Sequence, residues 1–377
     1  MIRFPMSDDQ KDIVDLMCQI LEKELAPQLA ELDRESKFPM DVFNKLHEAG
    51  LYAMEVPEKY GGMGLDHESL FLMHEAMGYY DSGFGFSFHG GSMSAESIYV
   101  GGTEEQKQFA SEKLLEGKMF AYCLTEPNAG SDAGAITATA RREGDEYVIN
   151  GTKTFISCGE LSDYFVVAAT IDKELRHKGI TLFLVGKEHG VKIGKHEDKM
   201  GLRLSPTNEV IFDDVRIPAA NIIGAEGKGF GIAMRALEYA RVATMSFAVG
   251  IMMRALDEAT KYAKERTSFG KPIIKFQGLS WMLADMLKMT QVSHSTLMYA
   301  IKLLEEGKSL DGIGSSAKIY VSESASQCAS MAVQILGGYG YMREYPVEKL
   351  MRDAKIFEIF EGTNQIQQIV LASMLSK

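Results

Sequence analysis

The chain has 377 residues, 46% hydrophobic and 24% charged, which excludes wholesale disorder and allows more than one domain. Its 40 Lys plus Arg stand against 52 Asp plus Glu, a net charge of −12, and residues 1–118 alone hold 22 acids and 10 bases. That balance offers no basic face to nucleic acid and none to an anionic membrane.

The opening MIRFPMSDDQKD turns acidic within ten residues and lacks the patterns of a signal or transit peptide. Cys18, Cys123, Cys158 and Cys328 are scattered, with no Cys-x-x-Cys, so neither a zinc site nor a disulfide framework is expected. A cytoplasmic location is therefore expected. The longest charge-free stretch, 324–342, is interrupted by Ser, Gln and Gly, and no membrane insertion is expected.

From about residue 5 to 118 the hydrophobic period is helical. Ile13, Leu16, Met17, Ile20 and Leu21 form one stripe, with acids opposite. Breaks are expected at Pro39, Gly61-Gly62 and Gly90-Gly91, and Met63, Met73, Met77 and Met93 read as adaptable core filling. His47, His67 and His74 read as solvated or core-edge helix positions. From about 119 to 223 the period shortens to that of strands. GDEYVINGTKTFIS (144–157) predicts a hairpin turning at Asn150-Gly151, followed by YFVVAAT, GITLFLV and NEVIFDDVRIP. No long helix separates these runs, so an antiparallel barrel or sandwich is expected rather than a parallel sheet. From 224 onward only Pro272 and Pro346 occur, and helices are expected near 229–265, 277–306, 315–336, 346–358 and 363–375. The fold class is thus α+β: an N-terminal all-α domain (1–118), a middle antiparallel β domain (119–223) and a C-terminal four-helix bundle (224–377).

Familiar catalytic signatures are missing: there is no GxSxG, HExxH or P-loop. The run Gly227–Gly231 fails as a dinucleotide fingerprint, because Ile232 takes the sixth position and no strand precedes it. Polar and glycine clusters remain where elements end. YCLTEPNAGSD (122–132) follows an apolar strand and ends in Ser131-Asp132, suited to a helix N-cap. It is either a plain turn or a loop offering N–H groups to an anionic or heteroaromatic ligand. TKTFIS (152–157) puts Phe155 and Ser157 on one side by period two. ERTSFGKPIIKFQ (265–277) carries Arg266 and Lys271 at a helix end, where they could hold phosphate. QILGGYGY (334–341) lets backbone approach a ligand. IFEGTNQIQ (359–367) puts Glu361 just before Gly362, as a cap or as a base against apolar surroundings.

These blocks, with YGGMGLD (60–66), GTEEQKQ (102–108) and VIFDDVRIPAANIIG (210–224), resemble in order and spacing the acyl-CoA dehydrogenase family over essentially the whole chain. The resemblance implies FAD, an acyl-CoA substrate, an electron-transferring flavoprotein as electron partner and a homotetramer. It implies that a short- or medium-chain acyl thioester is desaturated between Cα and Cβ, with Glu361 removing the α-proton and flavin N5 taking the β-hydride. Tyr122, Leu124 and Thr125 would lie at the isoalloxazine edge, with Ser131 near phosphate or pantetheine, and Phe155 and Ser157 over the flavin. Arg266, Ser268, Phe269 and Gln277, with Gln334, Gly337 and Gly338, would reach the FAD of a neighbouring subunit. Thr363 and Gln365 would close the site. Arg241, Glu238 and Gly362 would border the substrate; a surface ion pair is the competing reading for Arg241 and Glu238.

Some relatives carry the base immediately before the arginine of the C-domain helix. Here Ala240 stands before Arg241, which favours Glu361. Many relatives have Trp where Phe155 stands and Tyr where Phe360 stands, so substrate placement can differ. Residues 83–97 would line the acyl pocket, and no Lys or Arg lies between Lys59 and Lys107, which disfavours a dicarboxylyl substrate. The same site run backwards, as an enoyl-CoA reductase, and a non-catalytic acyl-CoA binder are the alternatives.

Overall fold

A computed structural model describes residues 4–310 and 312–376. The N-terminal helices are α1 (Asp8–Ile20), α2 (Leu29–Glu35), α3 (Met40–Glu48), α4 (His67–Gly101) and α5 (Glu104–Leu115). Ser7 with Gln10, and Thr103 with Gln106, close capping boxes on α1 and α5. The buried residues of α1 are Val14, Met17 and Cys18, with Leu21 just past its end, so the apolar face is rotated from the expected one and Leu16 is exposed.

Helix α4 is the spine of the molecule, buried on almost every side. The break expected at Gly90-Gly91 does not occur. The helix runs on through both residues, and a side chain at Gly91 would strike the Tyr52 hydroxyl, so glycine serves close packing there. The real interruption is Asp81 (φ −160°, ψ 115°), whose carboxylate accepts from the Phe84 N–H at 2.7 Å and restarts the helix. Three other expectations for this region also fail. Met63 is exposed rather than core, and His74 is fully enclosed rather than at the edge. The surplus of acids in residues 1–118 would most simply be the solvated outside of these helices, yet Asp33, Glu75 and Asp81 are buried against Arg352, His294 and Lys349.

The strands are β1 (Phe120–Cys123), β2 (Thr139–Glu143), β3 (Glu146–Ser157), β4 (Tyr164–Thr170), β5 (Ile180–Gly186), β6 (Lys192–His196), β7 (Thr207–Pro218) and β8 (Ile222–Ile223). They form one sheet in the order β6-β7-β3-β2-β4-β5-β8, with β1 beside β4. Pairing is mostly antiparallel, but β1–β4 and β2–β4 are parallel, which the sequence reading did not anticipate. One sheet face encloses its own core of Tyr147, Phe165, Phe183 and Phe212, while Val166, Leu182 and Leu184 join the core shared with the helices.

The Asn150-Gly151 turn is also overturned. The hairpin turns earlier, at Gly144-Asp145, since Glu143 pairs with Glu146. Asn150 instead exchanges hydrogen bonds with Asp214 across β7 at 2.9 and 2.8 Å, and Gly151 (φ 149°) sits in a bulge where a Cβ would come within 2.5 Å of Ala138.

The C-terminal part holds α6 (Gly229–Glu265), a small hairpin of β9 (Thr267–Ser268) and β10 (Lys271–Pro272), then α7 (Gln277–Glu305), α8 (Ile313–Leu336), α9 (Val347–Ala354) and α10 (Asn364–Leu375). Helices α6, α7 and α8 pack on one another, α10 packs on α8, and α6 also runs along α4. Lys349 on α9 is buried between Asp81 and Asp353, and Asp353 accepts from the Leu202 N–H at 2.7 Å. That cluster fastens α4, the β6–β7 loop and α9 to one another.

Candidate active site

The segment between α9 and α10 cannot remain helical at Glu361 (φ 54°) and Gly362 (φ 84°). Thr363 then caps α10, accepting from the Ile366 N–H at 3.2 Å. A left-handed glutamate is strained and needs support from its surroundings. Arg241 on α6 donates to the Glu361 carbonyl at 3.2 Å, and Gln367 donates to the Glu361 and Gly362 carbonyls, each at 3.3 Å. Behind them, Ser315 holds Gln367 at 2.8 Å and Lys318 holds Asn364 at 2.7 Å.

The carbonyl of Glu361 is therefore tied while its carboxylate is not. Its Oε2 is enclosed and has no hydrogen-bond partner. Burial pushes its pKa up to about 7, with Arg241 and Lys318 pulling it partly back. Burial, together with Arg241, brings the Lys318 ammonium down to about 8. The Tyr122 hydroxyl is likewise enclosed, with Ser97 beside it, and burial raises its pKa with a contribution from the Glu361 charge. Phe360 packs on Phe86 with ring centroids 5.2 Å apart.

A second group lies where β1 ends beside the end of β3. The Thr154 N–H donates to the Thr125 carbonyl at 2.9 Å. The fully buried Lys153 donates to the Leu124 carbonyl at 2.9 Å and to Glu126 at 2.8 Å, and Glu126 accepts from the Thr137 and Ala138 N–H groups. Leu124 and Thr125 are thereby locked against the strand that carries Phe155 and Ser157. Phe155 is 64% exposed at φ 57°, an aromatic face held out on a strained backbone beside the half-buried Ser157. An exposed ring and a hydroxyl on one strand, against a rigid turn, fit a flat heteroaromatic cofactor. Ser131 is exposed, and the helix cap expected at Ser131-Asp132 does not form. Asp132 instead holds Arg176 with both oxygens at 2.9 Å, and only a single 3-10 turn follows.

A third group stands apart, at one end of the bundle. Arg266 lies 5.9 Å from the Tyr339 ring, which brings the β9–β10 hairpin to Gln334, Gly337 and Gly338 at the end of α8. Arg266, Phe269 (93%, at φ 47°), Gln277, Gln334, Gly337 and Gly338 are exposed, and Ser268 is half-buried. Among the described residues, no hydrogen bond or ring contact links this group to Phe155 or Glu361. Gln365 is exposed on the first turn of α10. Glu238 is exposed and makes no ion pair with Arg241, so that competing reading is set aside; Arg241 holds the Glu361 turn instead.

Sequence reasoning missed Lys153, Glu126, Lys318, Asn364 and Gln367. Lys153 and Glu126 lay inside blocks already singled out, and a buried charge pair there was their signal. Lys318 sits in an ordinary helical pattern and carried none. Among the described residues no cluster of metal-ligating side chains occurs, and no helix is long and apolar enough to cross a membrane.

Models of the N-terminal, middle and C-terminal domains of acyl-CoA dehydrogenase match residues 7–118, 121–215 and 227–375. The chain is 41% identical over 380 residues to acryloyl-CoA reductase (NADH) of Anaerotignum propionicum, covering 99% of this chain and 96% of that one. It is 39% identical over 376 residues to a subunit of the caffeyl-CoA reductase–Etf complex of Acetobacterium woodii, covering 98% and 99%. The structure of butyryl-CoA dehydrogenase from Megasphaera elsdenii superimposes with a TM-score of 0.96 at 39% identity over 100% of both chains. With all three domains matched in order and a strained, enclosed glutamate between α9 and α10, the chain belongs to the acyl-CoA dehydrogenase family of flavin-dependent oxidoreductases.

Proposed function

We propose that this chain interconverts a short- or medium-chain acyl-CoA and its trans-2-enoyl-CoA, with Glu361 as the proton-transferring group. One observation carries the reading: a carboxylate with an enclosed, unpartnered oxygen on a turn whose carbonyls are held by Arg241 and Gln367. The α-proton of a thioester is weakly acidic, so the base needs a raised pKa and a fixed position. Burial supplies the first, and Arg241 with Gln367 supplies the second.

FAD is the proposed flavin, and when bound it exchanges the hydride with Cβ. Tyr122, Leu124, Thr125, Phe155 and Ser157 would hold it. Arg266, Ser268, Phe269, Gln277, Gln334, Gly337 and Gly338 would contact the cofactor of a second subunit. The exposed Phe269, Trp281 and Tyr341 support a homo-oligomer, for which we propose a tetramer. Ser131, Glu238, Arg241 and Gly362 would border the thioester, and Thr363 and Gln365 would flank Glu361. The division into domains 1–118, 119–223 and 224–377 belongs to the same proposal, as does an electron-transferring flavoprotein as electron partner, which the Etf-complex relative supports.

The reductive direction is the second reading, favoured by the two relatives named as reductases. Anaerobic mixing of the purified protein with a panel of acyl-CoAs tests the main reading. Bleaching of the flavin colour by one of them, abolished in Glu361→Gln, is the expected result. A protein that is colourless and cannot be reconstituted with FAD would sink it.

A further inference from the structure

Beside Glu361, the helix α4 carries an unusual concentration of polar atoms that are buried and unbonded. His74 and His89 are 2% and 4% exposed, with both His74 ring nitrogens and His89 Nε2 lacking a hydrogen bond of good geometry, and Ser97 Oγ is fully buried beside the Tyr122 hydroxyl. The two imidazoles lie 4.1 Å apart; His89 Nδ1 hydrogen-bonds the Ser92 hydroxyl at 3.0 Å and lies 3.7 Å from Glu55 Oε1, which is enclosed without a hydrogen bond. Burial lowers the pKa of both histidines, so they are neutral rings, each with one donor and one acceptor nitrogen. Between them and Glu55 is a cavity of about 10 Å³, the space of roughly one water-sized group.

This chamber shares helix α4 with residues that reach the Glu361 turn. Ser97 neighbours Tyr122, which lies within the field of Glu361, and Phe86 touches Phe360. His89 stands between Phe86 and Ser97 on the same helix, about 12 Å of helix axis in all for the span 89–97. A pocket floor meant for a bare alkyl end would be apolar, because unpaired buried polar groups are unfavourable. A carboxylate end would meet Glu55, and Glu96 next to it, across a stretch without Lys or Arg. A neutral hydroxyl both donates and accepts, which matches a mixed floor of imidazole and carboxylate.

We propose that the acyl group taken by this site ends in a neutral hydroxyl that binds His74, His89 and Glu55. This rests on the acyl-CoA reading of Glu361 and adds the class of acyl group. Two kinds of acyl group share the chemistry, hydroxyaryl and hydroxyalkyl. The experiment uses the FAD-loaded enzyme and two matched pairs: 3-(4-hydroxyphenyl)propionyl-CoA against 3-phenylpropionyl-CoA, and 5-hydroxypentanoyl-CoA against pentanoyl-CoA. For at least one pair, kcat/KM is expected to favour the hydroxylated member tenfold or more, equivalent to about 1.4 kcal/mol. Which pair shows it identifies the source. In His89→Leu that ratio should fall toward one; if this variant does not fold, Glu55→Gln serves for the same ratio. A wild-type ratio of one or less in both pairs overturns the proposal while leaving the acyl-CoA reading intact, and a ratio unchanged in a folded variant overturns the assignment to this chamber. If no acyl-CoA of any kind alters the flavin, both readings fall together.

Discussion

Two regions of this molecule bury charge with opposite consequences. At Lys349, burial works against the ammonium, but Asp353 and Asp81 outweigh it and hold its pKa above the ordinary value. Every member of that cluster has a partner, down to the Leu202 and Phe84 N–H groups. At Glu361 the supporting bonds all go to the backbone, and burial of the carboxylate outweighs the nearby charges of Arg241 and Lys318. A satisfied charge cluster fastens segments together, whereas an unsatisfied carboxylate is poised to exchange a proton.

The largest effect expected from separating the two is on turnover. Glu361→Gln should reduce acyl-CoA oxidation about a thousandfold, measured by stopped-flow flavin bleaching, because a general base is worth that order. Next, Lys349→Met should destabilise the protein by about 3–5 kcal/mol, read from urea unfolding, since it leaves two buried carboxylates unpaired. A loss below about 1 kcal/mol would mean the cluster is not the fastening it is taken for.

The same Glu361→Gln change should act on stability in the opposite sense. The folded pKa of about 7 lies above the 4.5 of the unfolded chain, so the folded state holds the extra proton between these values. Stability contributed by that proton is full below about 4.5 and is lost as pH rises through 7. At pH 8 the variant should therefore be more stable than the parent by up to about 3 kcal/mol, with no gain at pH 4.5. Equal melting shifts at both pH values would contradict the raised pKa. For catalysis, kcat/KM for oxidation should rise with pH through about 7, and reduction of the enoyl-CoA should fall over the same range. The smallest effect concerns position. Arg241→Met removes a cation that holds the Glu361 pKa down and the bond to its carbonyl. It should lower turnover roughly tenfold and move the oxidation profile to higher pH. A change in rate with an unmoved profile would assign Arg241 to binding alone.

How much of this was legible beforehand varies by element. The C-terminal helices were read almost to the residue, because long amphipathic runs with few prolines carry their own boundaries. Glu361, Phe155 and Ser157 were legible as motif positions, and Phe155, Phe269 and Glu361 prove to be left-handed residues, a strain no composition or period reveals. Asn150-Gly151 misled because turn propensity is local, while the pairing of Asn150 with Asp214 spans 64 residues. Gly90-Gly91 misled for the same reason, since glycine propensity is local while Gly91 serves close packing against Tyr52.

The sequence by itself determined the three textures of the chain and the family blocks, and it singled out the carboxylate proposed to react, because all of these are written in short-range patterns. The tertiary structure alone decided which charges are satisfied. Arg241 reaches Glu361 across 120 positions and Lys349 reaches Asp81 across 268, while His74 and His89 meet only because α4, interrupted at Asp81, is buried on nearly every side. Partnership and burial depend on contacts between distant segments, and these set whether a polar side chain is a fastening, a base or a recognition group.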